Sequence, residues 1–252
     1  VEYLSSTETA LLLLVVGTLA GFVDSIAGGG GLLTVPALLW AGLPPALALG
    51  TNKLQGSFGT LAATWSFWRR RLVDPREMLP AIAWTLLGAV LGTTLVQHLD
   101  PGFLERLVPL LLIGFALYFL YSPRVADLDA QARLGRSAFA LLIGTSVGFY
   151  DGFFGPGTGA FFALAHVALL GYNLRRATAH TKVLNFTSNL ASLTAFAIGG
   201  NLVWAVGLLM ALGQFGGAWV GSRLVVRHGT RLVRPLLVAV SLAISAKLLL
   251  AP

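Results

Sequence analysis

Apolar residues run along this chain in long blocks, broken by short polar loops. The long blocks are 9–26, 46–68, 78–98, 103–121, 137–154, 178–198, 202–223 and 235–251, each near the roughly 20 residues a helix needs to cross bilayer hydrocarbon. Two further blocks, 32–41 and 159–170, are shorter. At about 1.5 Å per residue they reach half to two-thirds of the way across. Each follows a glycine-rich break: Gly28-Gly29-Gly30-Gly31 before the first, Gly155-Pro156-Gly157-Thr158-Gly159 before the second. The pattern predicts an all-α polytopic membrane protein with about eight long and two short helices.

Composition supports this. Of 252 residues, 56% are hydrophobic and 11% charged, with a mean hydropathy of +0.80. A soluble domain carries about 25% charged residues. No soluble fold of this length buries so much apolar sequence, and the remainder must face lipid. The chain has no cysteine, which excludes disulfides and thiolate metal sites. Four His and ten acidic residues leave little for catalysis. Glu2 and Glu8 stand where a signal peptide would be basic, so no cleavable signal is expected.

The net charge of +7 would suit nucleic acid if it formed a surface patch. The arginines lie instead in short loops between apolar blocks, which reads as membrane topology, with no nucleic-acid partner. Arg69, Arg70, Arg71 and Arg76 share one loop, and Arg124, Arg133 and Arg136 the central one; Arg175 and Arg176 precede block 178–198, and Arg223, Arg227, Arg231 and Arg234 precede the last block. Placing these loops in the cytoplasm puts 13 of the 14 arginines inside, with only Arg106 outside, and puts both termini outside the cytoplasm. The expected location is the cell (inner) membrane, with the bilayer as the solvent of the fold.

The two halves align. Gly21-Phe22-Val23-Asp24 matches Gly148-Phe149-Tyr150-Asp151, and the glycine breaks follow at the same distance. Thr51-Asn52-Lys53 matches His180-Thr181-Lys182, and the offset of 129 then holds to Gly88-Ala89 and Gly92-Thr93, which match Gly217-Ala218 and Gly221-Ser222. The loops do not align in charge: Arg69-Arg70-Arg71 falls on Ile198-Gly199-Gly200, and Arg175-Arg176 falls near Pro44-Pro45. Wherever one copy is basic the other is not. Each copy has three long helices plus one glycine-broken pair, whose ends share a side whether the pair spans or turns back. The copies therefore insert with opposite topology. The expected organisation is a first repeat at 1–121, a cytoplasmic linker at 122–136 and a second, inverted repeat at 137–252, forming one transmembrane domain.

Inverted repeats with broken helices are a transporter architecture. Helices that begin at a mid-membrane break direct free N–H groups and the positive dipole end at the centre, which suits a small anion. The candidate substrate-binding residues are Gly28, Gly29, Gly30, Gly31, Gly155, Gly157 and Gly159 of the breaks, with Asn52, Lys53, Gln55, Thr181, Lys182 and Asn185 nearby. Close helix packing is the simpler use of such glycines. Lys53 and Lys182 hold equivalent positions inside apolar blocks, where a charge costs about 2.5–3.5 kcal/mol on insertion scales. They are expected either to hold an oxyanion or to snorkel to a block end; Lys247 reads as a snorkelling anchor. Asp24 and Asp151 are the second symmetric pair, able to pair with a lysine, cap a broken helix or carry a proton. His180 is a coupling candidate beside Lys182, or merely interfacial. His166 reads as a packing residue. Ser25, Thr187 and Asn189 are further neutral donors. Gly213, Gly217 and Gly221 form a helix-packing stripe whose other use is a homo-oligomer contact.

At the residues from Gly21 to Gly31, at Gly50-Thr51-Asn52-Lys53 and from Gly148 to Gly157, the sequence resembles the TauE/SafE family of sulfite exporters and related anion transporters. The likeness covers nearly the whole chain. It implies a secondary transporter of a small sulfur-containing anion such as sulfite or an organosulfonate, often moved outward, by alternating access at the repeat interface. The competing reading is a cation, metal or proton-coupled carrier built on Asp24 and Asp151, although two carboxylates without a His or Cys cluster make a poor transition-metal site. The sequence has no HExxH, nucleophile elbow or phosphate loop, so neither an enzyme nor a cofactor is expected.

Overall fold

The computed structural model describes residues 7–121 and 131–228. The apolar block 235–251 with Lys247, most of the 122–136 linker, and Arg124, Arg231 and Arg234 lie outside the described residues. The helices are α1 (Thr7–Ala27), α2 (Gly31–Trp40), α3 (Pro45–Arg69), α4 (Leu79–Gln97), α5 (Pro101–Tyr121), α6 (Arg136–Phe139), α7 (Thr145–Phe153), α8 (Thr158–Leu170), α9 (Leu174–Ile198) and α10 (Trp204–His228). The block expected at 137–154 is one helical path, with a π-helical turn at Ala140–Gly144 joining α6 to α7. No strand occurs among the described residues.

The distribution of polarity is inside-out relative to a soluble bundle. Leu11, Val15 and Leu19 of α1, Leu86, Leu87 and Leu91 of α4, and Leu208, Leu212 and Val220 of α10 project outward. A continuous apolar exterior of this kind belongs in lipid. Among the described residues, three helical stretches are long and apolar enough to cross a membrane: Thr7–Ile26, Pro75–Gln97 and Trp204–Val226. α3 and α9 are equally long but less apolar, because they form the centre and bury the polar side chains. α3 buries Thr51, Asn52, Lys53, Gln55, Ser57 and Thr60; α9 buries Thr178, Thr181, Lys182, Asn185, Ser188 and Ser192.

The short helices turn back. α2, at 10 residues, is about 15 Å long at the standard helical rise. Its end packs beside the start of α1, where Leu13, Leu38 and Leu43 share one cluster with Val206 and Met210. α8 returns along α6 and α7, with the His166 ring 4.7 Å from that of Phe139. Each short helix thus forms an antiparallel hairpin with the helix before it. The first hairpin opens at the bundle end where α3 begins. The second opens where α3 ends, beside Trp68 and Arg71, which share a cavity wall with Asn173 and Arg175. The two breaks therefore approach the middle of the bundle from opposite ends.

Small residues bring the long helices together. A Cβ at Gly217 or Gly213 of α10 would collide with the α1 backbone at Thr18 or Leu14, and one at Gly88 or Gly92 of α4 with the α7 backbone at Thr145 or Phe149. The Gly213, Gly217 and Gly221 stripe thus serves α1 within the chain, and its use as a subunit contact finds no room. Gly216, on the same helix, faces open space. Gly217→Leu is expected to lower stability by at least the roughly 1–3 kcal/mol typical of overpacking, whereas Gly216→Leu should be close to neutral. Thermal unfolding of the two variants in detergent checks this, and equal melting temperatures would contradict the packing described.

Candidate functional site

The breaks exist because glycine permits backbone that other residues resist. Gly28, Gly155 and Gly157 take φ of +80°, +96° and +87°, left-handed values that side chains disfavour. The two breaks also touch. A Cβ on Gly28 would stand 2.5 Å from the Gly159 carbonyl carbon, and one on Gly31 would be 3.0 Å from Pro156 Cα. Gly30 faces inward, its would-be Cβ 2.7 Å from Asp24 Cβ, whereas Gly29 meets only Leu32, at 3.9 Å.

The free helix ends expected at the centre are largely occupied by the protein itself. In the first break Leu32 N–H donates to Gly29 O at 3.1 Å and Leu33 N–H to Gly30 O at 3.0 Å; in the second, Thr158 N–H donates to Gly155 O at 3.1 Å. The side chains of Asp24 and Asp151 lie beside these helix starts. Asp24 Oδ1 accepts from Gly30 N–H at 3.3 Å. Asp151 Oδ1 accepts from Thr158 Oγ1 at 2.9 Å, and its Oδ2 accepts from Ser188 Oγ. A carboxylate thus sits at each helix start, where the dipole favours negative charge.

Each carboxylate is held by a lysine from the other half of the chain. Lys53 Nζ lies 2.7 Å from Asp151 Oδ1 and also donates to the Asp151 backbone carbonyl. Lys182 Nζ lies 2.9 Å from Asp24 Oδ2. Both lysine side chains are 1% exposed, so neither snorkels. Nor does either present an unpaired charge to a ligand, as the simplest form of the lysine-pair expectation requires. The pairs satisfy what burial demands, since an isolated buried charge is far costlier than a paired one.

Between the breaks lies a narrow polar cavity of about 30 Å³, room for about two waters. Among the described residues its wall includes Asp24, Gly28, Gly31, Asn52, Asp151, Gly155, Gly157, Gly159 and Asn185, all candidates from the sequence. The wall does not include Gly29, Gly30, Gln55, Thr181 or the lysines. Gln55 donates from Nε2 to Asn52 Oδ1 at 2.8 Å, and Thr34 Oγ1 donates to the same oxygen at 2.6 Å. These bonds orient Asn52 so that Gln55 acts behind the wall. Thr181 is buried with no hydrogen-bond partner on its hydroxyl. Ser25 and Thr187 bond their own helix backbone, at Phe22 O and Val183 O.

His180, expected either as a coupling candidate or as an interfacial residue, does not reach the central cavity. It lies in an aromatic cluster with His166 and Tyr172, at 5.7 Å and 4.9 Å between ring centres. It helps line a separate cavity of about 740 Å³ near the end of α3, with Trp68, Arg71, Arg175 and Arg176. Arg71 reaches that wall from a left-handed backbone with φ of +56°. It closes α3 by a Schellman motif, with Leu72 N–H donating to Phe67 O at 3.1 Å.

Sequence reading missed Gln214, Thr60 and Gly56 on the cavity wall, and Ser188 behind Asp151. Gln214 is 2% exposed, and its amide oxygen has no hydrogen-bond partner; Asn185 Oδ1 is in the same condition. A lone amide in an apolar helix is costly enough to mark itself as a candidate, but the surrounding glycine stripe drew the reading of α10 towards packing.

An apolar exterior, a polar centre and two hairpins whose glycine-broken tips meet at a cavity fit a membrane transporter, the class to which the family and the relatives belong. The chain belongs to the sulfite exporter TauE/SafE family, whose model matches residues 13–248. It is similar to the probable membrane transporter protein YfcA of Escherichia coli K12, 51% identical over 238 residues that cover 94% of this chain and 88% of that protein. A probable membrane transporter protein of Haemophilus influenzae is 48% identical over 237 residues, covering 94% of this chain and 93% of the relative. More distantly, YjnA of Bacillus subtilis, also a probable membrane transporter protein, is 24% identical over 260 residues. No solved structure matches the chain.

The crossed ion pairs lead to a double-mutant test. Lys53→Met leaves Asp151 buried without its cation and should cost about 3–5 kcal/mol of stability. Adding Asp151→Leu should restore much of that loss. Unfolding measurements on both variants decide it. A double variant less stable than the single one would show that the pair is not the unit described.

Proposed function

We propose that the chain is a secondary transporter of a small sulfur-containing anion, such as sulfite or an organosulfonate, working by alternating access at the interface of two inverted repeats. One observation carries this reading. At each break the protein's own carboxylate occupies the positive start of a helix and is held there by a lysine from the other half. A sulfonate or sulfite presents the same feature, a compact oxyanion, and can replace a carboxylate at a lysine and a helix start. The family's name supports sulfite and the outward direction.

The inverted arrangement gains support from reciprocity. Lys53 of the first half pairs with Asp151 of the second, and Lys182 of the second with Asp24 of the first. α1 packs on α10 through glycine as α7 packs on α4. Repeats at 1–121 and 137–252, joined by a cytoplasmic 122–136 linker, fit this exchange. With both termini outside and the protein in the inner membrane, the arginine-lined cavity opens to the cytoplasm. Its wall carries Arg71, Arg175 and Arg176 against Asp74 and Glu77, a net positive balance that would favour anions at this mouth. From that end an apolar cluster runs from Val73 and Met78 past Phe67 and Phe162 to Ile26 beside the first break. On this reading it acts as the closed door between vestibule and site. In alternating access this cluster and its counterpart around Leu32, Leu49, Phe154 and Phe196 part in turn.

The carrier reading built on Asp24 and Asp151 has one observation in its favour, that both carboxylates line the cavity. Their pairing with lysines leaves the quartet neutral, which does not attract a metal cation.

Ligand-dependent stabilisation of the purified protein separates the readings. A ligand at 100 times its Kd stabilises the state that binds it by about 2.7 kcal/mol. Sulfite or a sulfonate should raise the melting temperature where chloride and divalent cations do not. A shift with divalent cations alone would refute the anion reading. Topology is tested on Arg70→Cys, a clean probe because the chain has no native cysteine. It should resist impermeant thiol reagents added outside intact cells, and labelling there would refute the cytoplasmic placement of this loop and with it the orientation proposed.

A further inference from the structure

Resting on the anion reading, we propose that the substrate anion binds together with one proton, that Lys182 receives the anion, and that Asp24 takes up the proton. The two ion pairs are equivalent in sequence but not in structure. Asp151 is gripped by Lys53, Thr158 and Ser188, and its side chain is 4% exposed. Asp24 is held by Lys182 and by one long bond of 3.3 Å from the Gly30 N–H, and its side chain is 14% exposed. The Asp24 pair is the one that can open; the Asp151 pair fastens the second hairpin.

Charge balance then dictates the proton. The four groups sum to zero as they stand. Asp24 and Asp151 are the titratable residues on the cavity wall among the described residues; the remaining polar wall beside Asp24 consists of neutral amides, such as Asn185 and Gln214. Lys182 is the cation that faces Asp24, and the Lys53 ammonium is committed to Asp151. An anion added alone would place three negative groups against two ammonium groups. The wall groups are buried among packed helices, where an unbalanced charge is costly. In the proposed step the Asp24–Lys182 contact breaks and a Lys182–anion contact forms. One proton from the aqueous phase joins the released Asp24 carboxylate. The sum returns to zero, and the neutral carboxyl group and the freed Gly30 N–H can both donate to the anion.

Two consequences follow. The site selects a singly charged anion, such as a sulfonate or hydrogensulfite, because a doubly charged one would need a second proton. The loaded site is also electroneutral, so the direction of movement follows the anion and proton gradients and not the membrane potential.

Methanesulfonate tests this on the purified full chain, since it keeps one charge at every working pH and any titration belongs to the protein; sulfite is run beside it. Calorimetric titration in buffers of different ionisation enthalpy should show about one proton taken up per anion, and affinity should fall by about tenfold per pH unit as pH rises. Asp24→Asn, whose amide mimics the protonated carboxyl, should bind without proton uptake and with a flat pH profile. If that variant does not fold, Asp24→Glu must shift the pH dependence of affinity, and an unmoved profile overturns the assignment. Uptake lost in Asp151→Asn but kept in Asp24→Asn overturns it as well. Anion binding to the wild-type protein without proton uptake refutes the coupling while leaving the anion reading intact. Failure of both anions to bind removes that reading and this proposal together.

Discussion

The structure depends on how two interrupted helices are made tolerable at the centre of a low-dielectric bundle. Each interruption exposes helix-start N–H groups where no lipid can satisfy them. The chain supplies a carboxylate at each break: Asp24 accepts the Gly30 N–H six residues on, and Asp151 accepts the Thr158 hydroxyl seven residues on, the Thr158 N–H being taken by Gly155 O. A buried carboxylate in turn requires a cation, which comes from the opposite half. The lysine side chain needs a path to the carboxylate, and glycine provides it. A Cβ at Gly155 would stand 2.7 Å from Lys53 Nζ. Break, carboxylate, lysine and glycine therefore form one dependent set.

The same set makes the centre responsive. Buried ion pairs contribute little net stability compared with apolar packing of similar volume, yet they are costly to leave half-broken. Such a pair fixes one geometry, and on the anion reading proposed above it is the contact that an incoming oxyanion would replace. Rigidity comes from elsewhere, from the glycine contacts of α1 with α10 and of α4 with α7. The molecule separates a close-packed frame from a charged, narrowly enclosed centre. Inequality between the pairs gives that centre one fastened side and one that can be released.

Much of this was legible in the sequence for a simple reason. Lipid and the short range of backbone hydrogen bonds act locally, so block length predicts helices, and the glycine runs mark where helices stop. Asp24, Asp151, Lys53 and Lys182 stood out because a charge in an apolar block must be compensated, and their recurrence after equivalent motifs paired them by type. The same local reading named ten of the wall-lining residues, Asn189 among them. It left His180, which neighbours Lys182 in sequence but turns outward on its helix, open between two uses, and it passed over Gln214 among the glycines of α10.

Residue order by itself determined the membrane environment, the helical class, the two breaks and the identity of the charges that need partners, because each follows from transfer energies and backbone geometry within a few turns of chain. Only the tertiary structure decided who partners whom. Lys53 meets Asp151 across 98 positions, and Lys182 meets Asp24 across 158. At those separations nothing in local propensity distinguishes a lysine that waits for a substrate from one already neutralised. It is the packing of α3 and α9 between the two hairpins that places each ammonium beside a carboxylate, and that leaves Asp24 with fewer donors than Asp151.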